Sequence, residues 1–308
     1  MVDGLRGVLW RAWDSDVAYS FRTSPITIAS ALLTLIIVGA AFLAPWIAPH
    51  NPFDVATLNI MDSRLPPAWE DQGVPDFWLG TDVQGRDVFS TILYGSRISL
   101  IVGVLSVLFA AVLGVALGLL AGYMGGIVDA VIMRIAEVQL SFPAFLIALL
   151  IDGVARAILP PEDQESAAIP VLVFSIGLSF WVQYARTVRG STLVERRKEY
   201  VQAAQIIGLH PLLIMIRHVL PNVVGPVLVI ATINLALAVI TEATLSFLGR
   251  GVPPTQPSLG TLIRIGQEYL FSGDWWVTLF PGLTLAVMVL AVNLLGDWLR
   301  DALNPKLR

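Results

Sequence analysis

The residues able to do chemistry are few, and their spacing argues against covalent chemistry. Within the long apolar runs, Arg134 and Glu137 stand three apart on one helix face, and Glu242 stands alone near the end of a later run. Ionisable groups inside a membrane span mark function by default. Arg134 and Glu137 lie near the end of their run, though, which favours a structural pair whose charges reach for the interface. Glu242 is a candidate for lining a polar pathway, against pairing with a neighbour or facing water. His50, His210 and His218 show no ligand spacing, so no metal site is expected. Cysteine is absent, which excludes disulfides, thiolate sites and a cysteine nucleophile. Lys198 and Lys306 follow Arg197 and Pro305, so the Gly-Lys of a phosphate-cradling loop is missing and the chain does not hydrolyse ATP by that route. What remains is a concentration of charge: Arg186, Arg189, Arg196, Arg197, Lys198 and Arg217 fall in one stretch, Arg186 to Pro221, between two apolar runs.

The elements around that stretch are membrane spans. Of 308 residues 56% are hydrophobic and only 14% charged, with a mean hydropathy of +0.76, where soluble domains carry roughly a quarter charged residues. Apolar runs at Ile26–Ala48, Ile98–Gly122, Ile127–Ile151, Ile169–Ala185, Val223–Leu248 and Val277–Leu299 are each near the ~20 residues that cross a bilayer. The fold class expected is therefore all-α, with six transmembrane helices. The first run starts too late for a cleaved signal peptide and reads as an anchor. Six spans put both termini on one side, and basic residues then favour that side about two to one over the other. This predicts both termini and Arg186–Pro221 in the cytoplasm, with the long polar loop Pro49–Arg97 outside. Three parts follow: an interfacial segment 1–25, with Leu5, Leu9, Trp13 and Val17 at helical spacing; the first span and outer loop, 26–97; and the remaining spans, 98–308, carrying the loop 186–221. The net charge of −4 reflects acids gathered in outer loops and calls for no nucleic-acid partner.

Inside the basic stretch, Glu199 to Gly208 is helical sequence ending at a glycine, and a second short helix is expected over Leu212–Val219, closed by Pro221. Two short helices joined by a sharp bend make a rigid knob rather than a tether. In the second span Gly114, Gly118 and Gly122 recur every four residues, leaving a bare face for close helix approach, chiefly within the chain. Pro143 in the third span removes a backbone bond and should bend it.

Four motifs carry a resemblance. Gln202-Ala203-Ala204, three residues, Gly208, nine residues and His218-Val219-Leu220-Pro221 reproduce the spacing of the Glu-Ala-Ala loop of ABC-importer permeases, departing from it at Gln202 and His218. The runs Gly80–Leu100, Glu242–Ile263 and Asn293–Arg308 resemble the dipeptide, oligopeptide and nickel branch of that family, with Leu259 and Asn304 as departures. Bottom-up, Asp82, Arg86 and Asp87 in the first of these can pair locally or meet a partner. The resemblance implies a type I importer permease fold in a bacterial cytoplasmic membrane. It implies an obligate complex with a second, homologous permease subunit, two cytoplasmic ATPases and an extracytoplasmic solute-binding protein. ATP and Mg would be bound by the ATPases and no cofactor by this chain. Coupling to the ATPases would fall on Glu199, Gln202, Ala203, Ala204, Gly208, His218, Leu220 and Pro221, with Ala203 and Ala204 forming a low face that enters a groove. The substrate would be a di- or oligopeptide, with nickel or a glutathione-like compound as the alternatives. A secondary transporter, a channel and an intramembrane enzyme are the competing classes; a polar pore stripe or paired catalytic groups within spans would mark the last two, and neither is present in the sequence.

Overall fold

The computed structural model describes residues 16–54 and 58–302. The stripe Leu5, Leu9 and Trp13 and the last residues of the C-terminal motif, including Asn304, lie outside them. Among the described residues all regular structure is helical. A short helix α1 (Asp16–Thr23) leads into α2 (Pro25–Phe42), whose start is fixed by Pro25 in the first turn and by Ser24, which accepts from the Thr27 amide at 3.3 Å. The outer loop follows. The chain then enters α3 (Val88–Met124), a 37-residue helix capped by Asp87, which accepts from the Ser90 amide at 2.8 Å. At ~1.5 Å per residue α3 is far longer than the ~30 Å hydrocarbon core. It begins ten residues before the expected span, so its first turns stand among the outer loops.

The third run differs from expectation. It forms two 15-residue helices, α4 (Gly126–Leu140) and α5 (Ala144–Ile158), at 99° to each other. Neither is long enough alone to cross the membrane at ~1.5 Å per residue. The cause is Pro143, which lacks an amide and pushes Phe142 out of helical geometry. The bend expected at Pro143 is thus a full break, and the pair makes at most one span.

Next come α6 (Ala168–Glu195), α7 (Glu199–Ile206) and α8 (Leu220–Phe247). Two boundaries of the basic stretch move. Its first ten residues, Arg186–Glu195, complete α6, because Val188 and Thr192 continue the face that α6 buries against α3. Pro221 does not close a helix. It lies at the junction where a turn at Pro211–Ile214 runs through a π-helical turn, Met215–Val219, directly into α8, so its missing amide falls where the hydrogen-bond register changes. An amphipathic helix α9 (Leu259–Tyr269) and the last span α10 (Trp276–Ala302) complete the chain. The sequence analysis had no counterpart for α9.

The glycine seam sets the central contact. A Cβ on Gly114, Gly118 or Gly122 would fall 2.5 Å from the Trp181 carbonyl oxygen, 2.6 Å from that of Ala185 and 2.7 Å from the Thr192 side chain respectively, so α3 and α6 meet backbone to backbone. The main core lies where α8 closes on this pair: Val102, Leu172, Ile176, Tyr184, Val188 and Leu245 are buried together. Val201 and Ala204 of α7, with Ile214 and Val219 beyond it, belong to the same core. A second core joins α2, α3, α9 and α10 around Leu100, Leu259, Trp276 and Met288.

Candidate functional site

Helix α7 presents two unlike faces. Glu199, Gln202, Ala203 and Ile206 follow i, i+3, i+4, i+7 spacing and are all exposed, while Val201 and Ala204 point into the core. Ala203 and Ala204 therefore separate. Only Ala203 lies on the outward face, and in place of the low face expected from the pair it stands beside large exposed side chains, Ile206 at 87% and Ile207 at 76% exposure. Consecutive helical residues differ by about 100° in direction, so one helix face cannot hold both alanines.

The helix ends as its glycine demanded. Gly208 adopts φ +83°, its amide bonds Gln205 O at 3.0 Å, and the Leu209 amide bonds Ala204 O at 3.1 Å. These two bonds form a Schellman cap, which reverses the chain and satisfies carbonyls that the helix leaves open. No heavy atom lies within 4 Å of where a Gly208 Cβ would sit, so the demand for glycine is conformational rather than steric. His210 then caps the following turn, its Nδ1 accepting from the Leu212 amide at 3.3 Å. Leu220 and Pro221 open α8, and His218 stands in the π turn with its Nδ1 buried and unpartnered.

Polar contacts tie this end of the bundle together. Arg196 donates to the carbonyls of Gly122 at 2.9 Å and Tyr123 at 3.2 Å, neutralising the C-terminus of α3. Arg189 holds Asp129 through both carboxylate oxygens, one at 2.6 Å, linking α6 to α4. Tyr200 donates to Glu195 and accepts from Asn222 Nδ2 at 3.0 Å. Burial, then the bond to Glu195, pushes the Tyr200 phenol up to about 12, so it keeps its proton at any physiological pH. Tyr200, Glu195, Asn222 and Ile206 were missed by sequence reasoning. Tyr200 and Asn222 are far apart in the chain and share no spacing rule that could have paired them.

The other candidate residues lie elsewhere. Glu242 is wholly buried near the opposite end of α8, where it accepts from Ser99 Oγ at 2.7 Å and from Ser246 Oγ at 2.6 Å. Ser99 in turn accepts from the Leu259 amide at 3.3 Å. Glu242 thus joins α3, α8 and the start of α9 inside the bundle and lines no open surface; of the readings open to it, pairing is the one realised. Arg134 and Glu137 form their pair at 3.2 Å, with both side chains largely exposed. Asp82 and Arg86 pair at 2.7 Å, both buried, with the Arg86 Nη1 also on Pro254 O at 3.2 Å. That motif is spent on holding the outer loop to the chain between α8 and α9. Among the described residues no cluster of three metal-ligating side chains occurs.

A multi-pass bundle with a rigid, basic, outward-facing knob between two spans is the build of a transporter's membrane subunit. The chain belongs to the family of binding-protein-dependent transport system inner membrane components, which it matches over residues 114–308, and residues 12–67 match the N-terminal TM domain of oligopeptide transport permease C. It is 38% identical to the di/tripeptide transport system permease protein DppC of Pseudomonas aeruginosa, over 94% of this chain and 91% of that one. It is 36% identical to the dipeptide transport system permease protein DppC of Haemophilus influenzae, over 94% of each. A glutathione transport system permease protein, GsiD of Pectobacterium atrosepticum, is 37% identical over 94% of this chain and 89% of its own length. Among solved structures, a chain of the inward-facing methionine ABC transporter MetNI superposes with a TM-score of 0.53 at 21% identity, covering 70% of this chain and 96% of its own. The fold is that of a type I ABC-importer permease.

Proposed function

We propose that this chain is the transmembrane subunit of an ATP-driven importer that receives di- or oligopeptides from a solute-binding protein and passes them across a bacterial cytoplasmic membrane. Its partners are a second homologous permease, two cytoplasmic ATPases and the binding protein. ATP and Mg belong to the ATPases, and this chain performs no covalent chemistry. Both termini and α7 face the cytoplasm, and the loop between α2 and α3 faces outward.

One observation carries the reading. The exposed face Glu199, Gln202, Ala203 and Ile206 stands on a helix whose opposite face is part of the bundle core, and which is closed by a fixed turn at Gly208. A surface so mounted transmits force in place of absorbing it. The test is Ala203→Trp in the reconstituted complex, since a large side chain there meets no core atom of this chain but obstructs a groove that receives α7. The ATPases should fail to co-purify while the permeases remain in the membrane at normal level. Normal co-purification with normal binding-protein-stimulated hydrolysis would exclude α7 as the coupling element. Orientation is checked with impermeant thiol reagents, because the chain has no native cysteine: Gln72→Cys should label from outside and Ile207→Cys only after the cytoplasmic face is opened.

A glutathione-like substrate is the second reading, favoured by the 37% identity to a glutathione permease. Uptake of a labelled dipeptide against labelled glutathione, each with the complex's own binding protein, separates the two.

A further inference from the structure

We propose that Tyr200 is a positioning residue that joins the fourth and fifth spans, α6 and α8, at the root of α7, so that a force applied to α7 moves both spans as one body. This rests on reading α7 as the ATPase-docking helix.

The chain leaves α6 at Glu195, turns within three residues, forms α7, and returns to α8 through the Gly208 cap and the π turn. A helix held between two spans by such bends could tilt against either span if nothing bridged them. The bridge is the phenol of Tyr200, in the first turn of α7. It donates its single proton to the carboxylate of Glu195, the last residue of α6, and accepts from Nδ2 of Asn222, in the first turn of α8, at 3.0 Å. Each end is fixed by a second contact. Glu195 Oε2 is held by Lys198 Nζ at 2.9 Å, and Asn222 Nδ2 also bonds His218 O at 2.8 Å, the carbonyl that lies 3.4 Å from the phenol itself. Glu195 is largely buried, so its bond to the phenol is charge-assisted and partly screened from water, while Tyr200 is 39% exposed and its bond to Asn222 lies at the surface. Among the described residues, the side-chain hydrogen bonds that connect α6 and α8 at this end of the bundle pass through Tyr200. The remaining contact there is apolar packing within the shared core, to which Val188, Val219 and Val223 all belong, and such packing resists separation but permits sliding.

A joint of this kind predicts a coupling defect without a docking defect. Tyr200→Phe removes one hydroxyl and leaves the outward face of α7 intact. In the complex reconstituted with partner permease, ATPases and its own purified binding protein, membrane abundance, ATPase co-purification and basal hydrolysis should match the wild type. Stimulation of hydrolysis by the binding protein should fall about tenfold, a loss of about 1.4 kcal/mol in the coupling between the two faces. Asn222→Leu, of similar shape but without the donor, should fall likewise. Glu195→Gln keeps a carbonyl oxygen for the phenol and should retain most of the stimulation, whereas Glu195→Met, similar in length but without that acceptor, should lose it, a split that a merely space-filling role for this site would not produce. Full stimulation in both Tyr200→Phe and Asn222→Leu overturns the joint. So does loss of the ATPases from Tyr200→Phe, which would place the phenol in the docking surface, and so does low abundance in both variants, which would make the contacts a requirement of folding. Ala203→Trp keeps the two readings apart: if α7 is not the docking helix, that variant retains its ATPases, whereas if only the joint fails, it loses them while Tyr200→Phe behaves as wild type.

Discussion

The two ends of this bundle hold their outermost segments by different means. At the outer end, charge is buried and paired within the chain, Asp82 with Arg86 and Asp152 with Arg156, though Arg86 Nη2 and Asp152 Oδ1 keep no partner; Glu242 lies between two serines, and the more exposed Arg64 reaches across to Asp274. At the cytoplasmic end α7 is held by apolar packing and by the turn at Gly208. Large apolar side chains stand in the open at both ends, Ile206, Ile207 and Leu212 here, and Phe271, Met61, Ile60 and Trp46 at the outer one. Buried charge makes a structure that tolerates only one arrangement, because each group leaves a costly orphan if its partner moves. Exposed apolar surface makes a structure that is complete only when something covers it. The outer loop is therefore pinned to this chain by buried charge, the cytoplasmic knob by packing and a turn, and both ends keep apolar surface open.

The sharpest break of that contrast is Arg86→Ala. It would leave Asp82 buried without its counter-charge and detach Pro254 O, and losing one member of a buried pair costs about 3–5 kcal/mol. The expected outcome is a large loss of folded chain from the membrane, measured by immunoblot and by detergent-resistant folding. Normal abundance would mean that the outer loop is dispensable and that the two ends do not differ as argued.

Gly118→Ala comes next and strikes the contact that both ends share. The new Cβ would lie 2.6 Å from Ala185 O on the facing helix backbone, and overpacking of this kind costs about 1–3 kcal/mol. A lowered melting temperature of the purified complex is expected, with docking of the ATPases retained. An unchanged melting temperature would show that α3 and α6 separate at no cost.

How far the sequence told this in advance depends on the scale of the signal. The spans, the glycine seam and the turn at Gly208 were readable, because each rests on a local rule: hydropathy over about 20 residues, a four-residue period, a left-handed angle that favours glycine. Boundaries were read less well. Helix α6 runs on to Glu195 because its buried face is set by α3, a tertiary fact, whereas Arg186 and Arg189 made the segment look like loop. The inward turn of Ala204 was missed for want of helical phase, and Tyr200 with Asn222 because their meeting depends on how α7 folds back between two spans. The place of Glu242 was not legible for the same reason: its serines come from α3 and from one turn further along α8.

Gly208→Val probes the cytoplasmic end. Left-handed geometry costs a residue with a Cβ roughly 1–2 kcal/mol, more for a branched one, and here no neighbouring atom adds to it. The strain is local to the α7 turn, so insertion of the spans should be normal while binding-protein-stimulated ATP hydrolysis drops. Asn, which tolerates the left-handed region better, should restore most of it. If Gly208→Val reduced abundance as strongly as Arg86→Ala, the cytoplasmic knob would be as much a part of the fold as the outer loop, and the contrast would collapse.

The smallest effect is expected where the same chemistry is placed on the open surface. Arg134 and Glu137 form an ion pair at 3.2 Å on consecutive turns of α4, as Asp82 and Arg86 form one four residues apart in the outer loop. The difference is surroundings: the α4 side chains are 79% and 64% exposed, the outer pair 2% each. Exposed pairs at this spacing are worth about 0.5 kcal/mol or less, because water or lipid headgroups serve either charge nearly as well as its partner does. Arg134→Gln with Glu137→Gln should accordingly leave the melting temperature and abundance close to wild type, and raising the salt concentration should abolish whatever small difference remains. Each single variant should behave like the double, since neither partner is stranded in a dry site. A single variant far worse than the double would mean that the remaining charge is buried in the assembled complex, covered by a partner. That outcome would move this face of α4 from the open exterior into an interface with another subunit.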